Sequence, residues 1–189
     1  MINEAVAEPA ASPVSGGATL DPVQLRSQLE RLHPECFGWA LTCCRGDRDS
    51  AAEVLQTVYV DVLDGRARSN GDAPFRAWLF GVIRIAAAAH RRATWLRVLR
   101  LERGAHRLDR DPPMAADAEV ERASREARLR TLLGRLSARQ QEVLQLVFYH
   151  DFTVEGAAGV MRVSVGTART HYARGKARLG ELLGGRSDL

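Results

Sequence analysis

Lysine is almost missing from this chain: of 27 basic side chains, Lys176 is the single ammonium and all the others are arginines. A planar guanidinium suits bidentate contact with phosphates and guanine edges, which a lysine does not reproduce. A GC-rich coding bias produces the same composition, so the distribution of the arginines matters more than their number. Strand-forming residues are also scarce. Tyr occurs 3 times and Phe 5 times, and Ile and Thr are sparse beside Ala, Leu, Arg and Glu. That balance disfavours a sheet and predicts an all-α fold. Long apolar runs are missing, since each is broken by Arg or Gly, and this excludes a bilayer-spanning segment. The first residues lack a basic start followed by an apolar core, which excludes a secretory signal and predicts a cytoplasmic protein. The cysteines, Cys36, Cys43 and Cys44, are odd in number and form no Cys-x-x-Cys pair. His33 lies one turn from Cys36, so a metal or redox site is conceivable. Their apolar helical setting favours buried thiols, and no cofactor or metal is expected. The acids are scattered rather than clustered with histidines, which argues against a metal-dependent nuclease and leaves no catalytic residue to name.

What is present is helical periodicity in two blocks. A chain of 189 residues fits one ordinary domain or two small ones. Residues 1–20 are rich in Ala, Pro, Gly and Ser and read as a disordered tail. Asp21 followed by Pro22 marks a helix start that continues through Leu25, Leu29, Leu32, Phe37, Ala40 and Leu41. Ser50 and Glu53 have capping-box spacing, ahead of Leu55, Val58, Tyr59 and Val62. A polar loop from Gly65 to Pro74 precedes a third helix from Phe75 toward Trp95. Residues 102–125 carry Asp109, Asp111, Pro112, Pro113, Asp117, Glu119 and Glu121 and read as an acidic, flexible linker. Residues 126–184 return to helical spacing. Leu129, Leu132, Leu133 and Leu136 come first, then a capping box from Ser137 to Gln140, then two further helices over Thr153–Met161 and Val165–Leu183. The expectation is three helices, a linker and four helices, in two small domains.

The C-terminal pair has the form of a helix-turn-helix. Ala157 and Ala158 permit a close helix crossing, and Ser164 is placed to cap the second helix. On that helix Ala168, Tyr172, Gly175, Leu179 and Leu182 form an inner stripe. The outer face presents Gly166, Arg169, Thr170, Ala173 and Arg174, flanked by Lys176 and Arg178. No acid occurs between Arg162 and Gly180. Short and cationic side chains in an unbroken positive field suit insertion into a major groove.

The run from Leu133 to Leu179 resembles the −35-reading region of extracytoplasmic-function (ECF) sigma factors, the sigma-70-family subunits that guide RNA polymerase. The resemblance places Thr167, Arg169, Thr170, Ala173, Arg174, Lys176 and Arg178 on −35 DNA. Gly156 stands where that family usually has Glu, and Arg162 where the turn usually has Gly. LuxR-type output domains share a similar motif, including the Thr167-to-His171 pattern, so a LuxR-like activator binding duplex DNA is the alternative.

The N-terminal block decides between them, because it shows neither a receiver nor a ligand-binding pattern. The segment from Gly46 to Leu63 resembles the ECF segment that grips the β′ clamp helices. This implies polymerase contact by Glu53, Gln56 and Thr57, with Ala52 and Thr57 making the face less acidic than in the family. The stretch from Asn70 to Phe80 is similar to the family's −10 loop and helix. It implies −10 contacts from Arg68, Ser69, Asn70, Arg84, His90, Arg91 and Arg92. Ile85 and Ala89 replace the frequent Asn and Asp. The resemblance spans about Leu25 to Leu183. It implies sigma2-like and sigma4-like domains, RNA polymerase core (β′ clamp helices and β flap) as partner, and promoter DNA that is duplex at −35 and melted at −10. It also implies an anti-sigma factor that masks these surfaces.

Overall fold

The computed structural model describes residues 21–101 and 131–184. The tail at 1–20 and the whole acidic linker at 102–125 therefore lie outside the described residues. Among the described residues six helices are seen: α1 (Pro22–Cys43), α2 (Arg48–Leu63), α3 (Phe75–Leu101), α4 (Ala138–Phe148), α5 (Val154–Met161) and α6 (Val165–Gly184). Residues 131–134 are also helical, and no strand occurs among the described residues. The all-α expectation holds. None of these helices is long and apolar enough to cross a membrane.

Local chemistry sets the helix ends. Asp21 precedes Pro22 at the first helical position of α1, but its side chain makes no capping bond. Between α1 and α2 the chain reverses through Arg45 and Gly46, both at positive φ (58° and 86°). Asp47 then caps α2, accepting from the amides of Asp49 and Ser50. This corrects the predicted start. Ser50 lies inside the helix and donates its hydroxyl to Asp47 (2.9 Å) instead of serving as the cap. The aspartate wins because it reaches two free amides of the first turn at once. At Ser137 the predicted capping box is present, with Ser137 and Gln140 each bonded to the other's backbone N–H.

Helices α1, α2 and α3 pack mutually, as do α4, α5 and α6. In the first group Trp39, Val54, Val58, Leu79, Phe80 and Ile83 are fully buried. Trp39 stacks on Phe80 with ring centroids 5.8 Å apart, and its indole N–H donates to the Phe80 carbonyl at 2.9 Å. Each such buried apolar side chain contributes roughly 1.5–3 kcal/mol. All three cysteines are buried and unbridged. Burial pushes the Cys36 thiol up to about 11 and raises Cys43 and Cys44 as well.

The two groups are not apart. Helix α5 packs on α3 and α4 packs on α1, so the apolar core runs continuously from Leu29 to Met161. Composition suggested two units joined by a flexible segment and gave no hint of this contact. It is made by Phe80 against His150 and Phe152 (4.9 and 5.5 Å between ring centroids), and by Arg76 over the Phe152 ring at 4.6 Å.

Candidate nucleic-acid interface

Helices α5 and α6 meet at a tight turn. Thr153 caps α5 by accepting from the Gly156 amide (3.0 Å). A Cβ on Gly156 would lie 3.2 Å from the Phe152 ring, so glycine leaves room for that ring to reach the interface with α3. Arg162 closes α5 in the left-handed region at φ 53°, and the Val163 amide donates to the Ala158 carbonyl (3.1 Å). Ser164 caps α6, accepting from the Thr167 amide at 3.2 Å. The inner stripe is as expected. Ala168 and Gly175 are buried, Tyr172, Leu179 and Leu182 are half-buried, and Gly175 sits directly against Leu144.

The outer face of α6 is solvent-exposed at Gly166, Thr167, Arg169, Thr170, Ala173, Arg174, Lys176 and Arg178. Its cations differ in their partners. Arg169 is ion-paired to Glu155 of α5 (2.7 Å), and Arg178 to Glu181 (2.8 Å). Lys176 lies over the Tyr172 ring at 5.5 Å. Arg174 projects with no carboxylate partner among the described residues. Thr170 returns its hydroxyl proton to the Gly166 carbonyl (2.9 Å), which leaves its methyl and oxygen outward. An arginine with one donor taken by Glu155 keeps four N–H groups, enough for a fork on a guanine or a phosphate.

A second set of groups lies on α2, α3 and the loop between them. On α2, Glu53, Gln56, Thr57 and Val60 share one exposed face. Val60 was not expected there. The Thr57 hydroxyl donates to the Glu53 carbonyl (3.0 Å). In the loop, Arg68 donates to the Gly65 carbonyl (2.8 Å), Ser69 accepts from the Gly71 amide (3.3 Å), and Asn70 bonds Asp72. Gly71 holds φ 81°, an angle that favours glycine. The predicted α3 cations are distributed unevenly. Arg92 is exposed, Arg91 donates to the Cys43 carbonyl, and His90 meets the Ser50 hydroxyl at 3.2 Å and Glu53 at 3.7 Å. Arg84 is turned inward, with its side chain 15 % exposed and paired to Glu142 of α4 at 3.0 Å.

Residues 126–179 match the family model of sigma-70, region 4. The fold is similar to that of two solved structures. One is the sigma factor RpoE of Bartonella quintana in complex with the anti-sigma factor NepR: 21% identity, TM-score 0.65, covering 84% of this chain and 95% of that one. The other is CnrH in complex with the cytosolic domain of CnrY: 22% identity, TM-score 0.60, covering 88% and 92%. No curated protein matches the chain.

The predicted residues of α6, Thr167, Arg169, Thr170, Ala173, Arg174, Lys176 and Arg178, are all exposed. The predicted −10 set is not. Arg68, Ser69, Asn70 and Arg92 are exposed, His90 and Arg91 are half-buried and engaged, and Arg84 is held by Glu142 of α4. Glu155, Glu142 and His150 were missed. For Glu142 a signal existed, since a carboxylate interrupts the apolar run beside Val143, Leu144 and Leu146. Nothing local marks its partner, 58 residues away.

Proposed function

We propose that this chain is an ECF-type sigma factor, which binds RNA polymerase core and directs it to promoters without performing covalent chemistry itself. The observation that carries the reading is an exposed, cationic α6 in the segment that matches sigma-70 region 4, attached to a three-helix group, with a fold similar to that of a solved sigma factor. In this reading α6 enters the −35 major groove, with Arg169 and Arg174 on base edges or phosphates and Thr170 and Ala173 making close contacts. Glu53, Gln56 and Thr57 meet the β′ clamp helices, and region 4 meets the β flap. The loop around Ser69 and Asn70, with Arg68 and the α3 cations, takes the melted −10 strand, whose base edges are open to polar groups. The RpoE neighbour was solved with the anti-sigma factor NepR, which supports control of this chain by a protein of that class. Such a factor acts in the cytoplasm.

Mixing the chain with core polymerase and a promoter library tests the proposal. Run-off transcripts with shared −35 and −10 elements are expected. Binding to duplex DNA with no dependence on core would replace the reading with a LuxR-like activator.

A further inference from the structure

His150 sits where the two halves meet, and the proposed function gives it no task. The residue is 1 % exposed, and neither ring nitrogen has a hydrogen-bond partner. Its walls are aromatic: Phe80 at 4.9 Å, Trp39 at 6.1 Å and Tyr149 at 5.0 Å, each edge-on. Gly38 of α1 lies against Tyr149 and His150, where a Cβ would make ordinary contacts of 3.6 and 4.0 Å. Three charged groups face the ring. Arg76 of α3 donates to the His150 carbonyl at 2.7 Å, Glu35 of α1 is ion-paired to Arg76, and Asp151 follows in the chain. An imidazolium here would have two N–H groups without acceptors and a guanidinium beside it. Burial first, and then Arg76, pull the His150 pKa down to about 4.

Among the described residues, a second polar contact across the interface is the Arg84–Glu142 pair, in which Glu142 also accepts from Arg139 (3.1 Å). Both of its side chains are nearly enclosed, so Glu142 occupies the guanidinium where a DNA phosphate would bind. We propose that the interface between the halves is a proton-sensitive latch: closed, it holds Arg84 on Glu142, and protonation of His150 opens it. The blocking of Arg84 rests on the proposed sigma function, whereas the latch itself does not.

The direction follows from linkage. Opening wets the imidazole, which then titrates near its ordinary value of about 6.5. Between that value and about 4, the open form carries a proton that the closed form does not. Acid therefore favours the open form, by about 30-fold in the open-to-closed ratio between pH 8 and pH 5.

The test uses the full chain. Small-angle scattering from pH 8 to pH 5 should show the wild type expanding while far-UV dichroism keeps its helical signal. His150→Leu should stay compact over the same range, and expansion of this variant along the wild-type curve overturns the latch. If the variant does not fold, histidine NMR of the wild type decides. The His150 resonance should titrate below the ordinary imidazole value of about 6.5, together with the expansion. A midpoint near 6.5 overturns the proposal. Glu142→Gln in run-off transcription with core should raise −10-dependent initiation several-fold. Equal initiation by variant and wild type removes the blocking role of Glu142. Absence of initiation by the wild type instead counts against the sigma reading and leaves the scattering result standing.

Discussion

Arg162 occupies a backbone position that a glycine would hold at no steric cost. Its φ of 53° closes the turn between α5 and α6, and an L-residue with a Cβ is strained there by roughly 1–2 kcal/mol. Arg162→Gly should raise stability by about 1 kcal/mol, read as a higher urea midpoint with an unchanged slope. The sequence signalled this site, because an arginine stood where a turn residue was wanted. The thiols were legible too, from their apolar neighbours, but what burial does to them was not. The Cys36 thiol has a folded-state pKa raised from 9.0 to about 11, so its contribution is complete below pH 9 and is lost as pH rises toward 11. Unfolding midpoints of Cys36→Ala and wild type, measured from pH 8 to pH 11, should show a shallower alkaline decline in the variant. Cys43 and Tyr59, both also raised by burial, keep that decline from vanishing.

Helices are the scale at which the sequence was most informative. The stripe from Ala168 to Leu182 was readable because helical spacing fixes which side chains share a face. The start of α2 was misread because two capping signals, Asp47 and Ser50, lie within a turn of each other and only geometry ranks them. On α2 the apolar stripe faces inward, so Gln56→Ala should leave the helix intact. It should weaken binding to polymerase core, as measured by titration with labelled core. Unchanged affinity even when Glu53 is also replaced removes this face from the interface. On α6 the two arginines should behave differently. Arg174→Ala removes a cation without an acidic partner, while Arg169→Ala also releases Glu155 into a negatively charged groove. Each should cost roughly 1–3 kcal/mol in promoter binding if bidentate to a base. A contact to phosphate would instead weaken all sequences alike and flatten the salt dependence. Wild-type binding by both variants would remove α6 from the recognition role.

At the scale of the whole molecule, helical content and the order of the segments could be read, but the closed packing could not. Contacts between Arg76 and His150, or Arg84 and Glu142, join residues 74 and 58 positions apart, and no local pattern encodes such pairs. A buried ion pair is costly to break from one side, by about 3–5 kcal/mol, because the remaining charge is left dry. That has a consequence for how freely the halves can be exchanged. If the C-terminal half is grafted from a relative lacking an acid at position 142, Arg84 loses its counter-charge and the closed packing of the halves loses its charge balance. Such chimeras should keep their helices but populate the open arrangement, seen as expansion in small-angle scattering, and restoring the acid, or replacing Arg84 with Leu in the same chimera, should restore compactness. Modules that look interchangeable in a sequence are thereby tied to one another as a breeding pair, and change at either position is tolerated when the other changes with it.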